Sequence, residues 1–108
     1  MNIFDHFIQL NRTILEKDLT QAMKCFPWRP SVMGDRLCDA FVALLALSVM
    51  DKKGLCSEKN FRRNLAAIAR TMYDAADVIQ ERDGAASPEL PQKLRKGVTI
   101  INNLLRPS

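Results

Sequence analysis

The chain has 108 residues, 47% of them hydrophobic, with 16 Lys plus Arg against 12 Asp plus Glu. That length holds one domain with a single core, and the apolar share is too high for intrinsic disorder. A net charge of +4 is a mild basic excess, and 4 Gly with 5 Pro exclude collagen-like and low-complexity chains.

Hydrophobic spacing predicts a first helix over residues 2–25. Ile3, Phe4, Phe7, Ile8, Ile14, Leu15, Leu19, Ala22, Met23 and Phe26 recur at three- and four-residue steps, the signature of one helical stripe. Pro27 and Pro30 end it, because each disfavours a helical residue before it and lacks a backbone donor. Ser31, or Gly34 with Asp35, then opens a second helix over 33–50. From Ala40 onward this helix is nearly continuous in apolar character. A helix that is hydrophobic around its circumference requires cover on most sides, which places it at the centre of the core.

Gly54 suits a left-handed C-terminal cap and Ser57 an N-cap, so a third helix is expected over 57–83. Phe61, Leu65, Ile68, Met72, Ala75, Ala76 and Ile79 share its inner face. Ser87 and Pro88 introduce a fourth helix over 89–105, although Pro91 sets that start only to within a few residues. Leu90, Leu94, Val98, Ile101 and Leu105 form its stripe, interrupted by Gly97. There is no strand-like alternation and no internal repeat. The expected fold is all-α, a compact four-helix single domain over 1–108 with a central apolar second helix and antiparallel neighbours.

The three cysteines, Cys25, Cys38 and Cys56, form neither a CxxC pair nor an even disulfide set, which favours a reducing cytoplasm. The opening residues lack a basic region followed by a purely apolar stretch, so no signal peptide is expected. The run from Ala40 to Met50 is about half of the roughly 20 residues that a membrane span needs. No membrane partner is expected.

The outer face of the third helix carries cations first and anions last. Lys59, Arg62, Arg63 and Arg70 precede Asp74, Asp77 and Glu81 on the side opposite Phe61 and Leu65. The helix dipole favours the reverse order by roughly 0.3–1 kcal/mol per well-placed charge, so the pattern points to a partner outside the helix. An antiparallel copy would set Arg62 and Arg63 against Asp77 and Glu81, a self-complementary dimer interface. Alternatively, Lys52, Lys53, Lys59, Arg62 and Arg63 form a basic patch for nucleic acid at a helix amino terminus, aided by Lys93, Arg95 and Lys96 if the two groups converge. A helix-turn-helix built from helices two and three is a related reading, although its connection is longer than usual. Against both stands an ordinary solvated face, because surface ion pairs are weak.

Trp28 and Arg29, held between prolines, are residue types enriched at binding hot spots, and Trp28 also suits a lid over the core end. Catalytic groups do not converge. His6 is the only histidine and has no ligand-spaced partner, and Asp74, Asp77 and Glu81 lack the inward ExxH complement of a di-metal bundle. Cys56 sits where a helix dipole and nearby lysines lower a thiol pKa, but a small hydrophobe in a loop is the plainer reading. No cofactor, no metal and no enzymatic activity are expected. The function expected is that of a small regulatory or adaptor protein acting through protein–protein interaction as a homodimer, with nucleic-acid binding as the alternative.

Overall fold

The computed structural model describes residues 3–26, 31–52, 57–83 and 88–106. They form four helices: α1 (Ile3–Met23), α2 (Val32–Lys52), α3 (Glu58–Asp83) and α4 (Glu89–Leu105). All four lie close to their expected bounds, and the all-α four-helix architecture is as the periodicity predicts.

The starts of α2 and α3 have local chemical causes. Ser31 Oγ accepts a hydrogen bond from the Gly34 N–H at 3.1 Å, and Ser57 Oγ accepts one from the Asn60 N–H at 3.2 Å. Each satisfies one of the donors that a first helical turn leaves without an internal partner. At α4 the N-cap position is Pro88, which makes no side-chain cap, and Pro91 is buried within the first turn.

Helices α3 and α4 run antiparallel, as do α2 and α3. Arg62 near the start of α3 reaches Leu105 at the end of α4, while Asp77 late in α3 meets Arg95 early in α4. Likewise Arg36 early in α2 meets Asp74 late in α3. Helix α1 packs on α2 and α4 and touches α3 across the core, whereas among the described residues α2 and α4 do not touch.

The core differs from expectation in one respect: its central element is α3, not α2. Phe61, Leu65, Ile68, Ala69, Met72, Ala75, Ala76 and Ile79 of α3 are all buried, so among the described residues α3 contributes more of the core than any other helix. Among the described side chains of α2, Leu37, Ala40, Leu44 and Leu47 are the buried ones, one face at three- and four-residue steps. Its opposite face leaves Val42 and Val49 at 57% and 50% exposure, and Val32 at the start of the helix is 81% exposed. The apolar run of α2 exceeds what its two neighbours cover, because no further described helix lies outside it.

Gly97 permits the close approach of α4. A Cβ at that position would lie 2.6 Å from Met72 Cε and 3.1 Å from Leu15 Cδ2, so any larger residue between α1 and α3 would require the Met72 methyl to swing aside and Leu15 to give by a few tenths of an ångström. The glycine that weakens the α4 stripe in sequence is therefore a packing device.

Candidate interaction surface

The outer ridge of α3 follows directly from its helical phase. With the core face fixed by Phe61, Leu65, Ile68 and Ile79, residues Lys59, Arg63, Arg70, Asp77 and Glu81 are exposed. Arg62 and Asp74 sit on the flanks, toward α4 and α2 respectively.

Several of these charges have partners within the chain. The Arg36 guanidinium donates to Asp74 Oδ2 at 2.9 Å and that of Arg95 to Asp77 Oδ1 at 3.0 Å. Arg62 donates to Glu58 Oε1 at 3.2 Å and, through Nη1, to the Leu105 carbonyl at 3.2 Å. Helix α4 has no basic residue in its last turn, and Arg62 supplies the cation that its carbonyl end favours. The acidic half of the outer face of α3 thus receives arginines from both flanking helices, while its first and last turns carry Glu58 and Arg82, the order the dipole favours. The Arg95–Asp77 pair is exposed and that of Arg36 with Asp74 part-buried, and ion pairs so open to water contribute about 1 kcal/mol or less each. An antiparallel α3 interface would exchange partners at Arg62 and Asp77 and would add them only at Arg63 and Glu81.

The two basic groups do not converge. Lys93, Arg95 and Lys96 lie beside the Asp77 end of α3, while Lys59 and Arg63 lie beside the Leu105 end of α4. At about 1.5 Å per residue, the 15 residues from Arg62 to Asp77 separate the groups by about 22 Å. Trp28, Arg29, Lys53 and Cys56 lie outside the described residues, as do the side chains of Lys52 and His6.

A surface cleft between α1 and the start of α4 has a cavity volume of about 400 Å³ and is lined by Lys17, Asp18, Gln21, Glu89, Leu90 and Lys93. Its size is that of a small-ligand cleft, but two ammonium groups balance two carboxylates along it. Asp18 is the one charged lining residue that is buried, at 7% exposure. Burial pushes its carboxyl above the ordinary Asp range, against the opposing pull of Lys93 and Lys17. The sequence reading missed Asp18, although its place at the edge of the Leu15–Leu19–Ala22 arc was a usable signal.

A further surface feature is the outward side of α2. Val42 and Val49 are joined there by exposed Cys38 and Ala46 and by half-buried Leu45, with Asp35 and Asp39 exposed toward the amino end. Among the described residues no helix is long and apolar enough to cross a membrane, and no three His, Cys, Asp or Glu side chains group as a metal site. No family model, no curated protein and no solved structure matches this chain.

Proposed function

We propose that this chain is a small non-enzymatic regulatory or adaptor protein of a reducing cytoplasm, acting through protein–protein contact as a homodimer. The observation that carries this reading is the uncovered apolar side of α2, where Val42 and Val49 are half or more exposed. Small soluble domains rarely leave contiguous apolar surface in water unless another molecule covers it. The exposed charges at Lys59, Arg63 and Glu81 frame a neighbouring face suited to fixing orientation rather than supplying affinity. Trp28 and Arg29 add an anchor of the residue types favoured at interfaces.

Nucleic-acid binding has weaker support, because the two basic groups sit at opposite ends of the α3–α4 pair. Two measurements separate the readings. Solution mass across a wide concentration range is expected to show a dimer with little dependence on salt. Duplex or single-stranded nucleic acid is expected not to bind at low salt. A monomer that binds nucleic acid, with affinity falling steeply as salt rises, would overturn the proposal.

A further inference from the structure

The outward row of α2 steps by three and four residues in alternation: Asp35, Cys38, Val42, Leu45, Val49 and, by register, Lys52. This is the spacing of a helix–helix seam, and it lies on the side turned away from Leu37, Ala40, Leu44 and Leu47. At about 1.5 Å per residue the row runs for about 26 Å. Its middle is apolar, with Val42 and Val49 exposed and Leu45 half-buried, and Asp35 stands exposed at its amino end.

The row is complementary to its own inverse. With a two-fold axis passing level with the midpoint of Ala43 and Leu44, Val42 meets Leu45, Cys38 meets Val49 and Asp35 meets Lys52. A parallel copy would instead stack Asp35 on Asp35 and Lys52 on Lys52, and would align the two helix dipoles unfavourably. Closed two-fold dimers require this kind of self-matching patch.

We propose that a second copy of this chain covers the outward side of α2, with the two α2 helices antiparallel in the register just given. The inference rests on the dimeric reading above and names its seam. The seam is apolar at the centre, where burial drives association, and opposite in charge at the ends, where direction is set.

The test uses the full chain and reads mass by light scattering. Val42→Glu is expected to raise the dimer dissociation constant at least ~10-fold. Helical content should be retained, because Val42 faces solvent within the fold. Asp35→Lys is expected to weaken the dimer, and adding Lys52→Asp to restore it. With Cys25 and Cys56 replaced by Ser, Val49→Cys is expected to cross-link to Cys38 of the second copy under a mild thiol oxidant, while Val32→Cys gives no cross-link. An undiminished Val42→Glu dimer, or cross-linking through Cys38 without any added cysteine, would overturn the seam and leave the dimeric reading standing. A wild-type monomer at every concentration would overturn both.

Discussion

Replacing Gly97 with Ala tests the tightest packing point in the molecule. The new methyl would lie 2.6 Å from Met72 Cε and 3.1 Å from Leu15 Cδ2, against an ordinary carbon separation of about 3.5–4.0 Å. Met72 and Leu15 are fully buried, so the roughly 1 Å retreat demanded of the Met72 methyl pushes into occupied space. Overpacking of this kind costs about 1–3 kcal/mol, while removing glycine from a helix interior returns about 0.8–1.0 kcal/mol. The net expectation is a loss of up to about 2 kcal/mol, read by urea denaturation followed by far-UV circular dichroism. Met72→Ala alone should cost about 2–5 kcal/mol. In that background Gly97→Ala should become stabilising, because the obstructing methyl is gone and Leu15 can rotate into the space. A coupling of about 1–3 kcal/mol between the two sites would result. If Gly97→Ala stabilises both backgrounds equally, the close approach of α4 to α3 is wrong.

The remaining predictions concern single groups. Asp18 has its pKa raised by burial, so its native state holds a proton more tightly than its unfolded state. Its contribution to stability is therefore greatest below the ordinary Asp pKa of about 3.9 and is lost as pH rises through the native value. Asp18→Asn should accordingly be more stable than wild type at neutral pH, with the difference shrinking in acid; a difference that grows on acidification would refute the assignment. Ser57→Ala should cost about 0.5–2 kcal/mol through loss of the bond to the Asn60 N–H, checked by thermal melting. Arg95→Ala removes an exposed pair with Asp77 and should cost no more than about 1 kcal/mol, whereas its buried neighbour Leu94 should cost about 2–5 kcal/mol on truncation to Ala. Equal losses at the two positions would contradict the burial seen for α4.

Local chemistry made most of the fold legible in the sequence. Prolines, the capping Ser31 and Ser57, and three-four spacing of apolar residues act within a few positions of themselves, so helix bounds emerge without knowing the packing. Cover is a different matter. Nothing in the run from Ala40 to Met50 says which side a neighbour will occupy, and an apolar circumference misplaced α2 at the centre when the buried ones among its described side chains share the Leu37–Leu47 side. The charge order of α3 was visible, but the partners of its acidic half were not, since Arg36 and Arg95 come to Asp74 and Asp77 from other helices, 38 and 18 residues away in sequence. Asp18 escaped attention for a similar reason, because its burial arises between α1 and the start of α4.

Because α2 and α4 make no direct contact among the described residues, the two helices are coupled only through α1 and α3. Damage at Leu44 reaches Leu94 only by way of the elements between them, so truncating both to Ala should cost the sum of the separate losses to within about 0.3–0.5 kcal/mol. A protein arranged in this way can change the outer side of one flank, through evolution or engineering, and leave the opposite flank untouched.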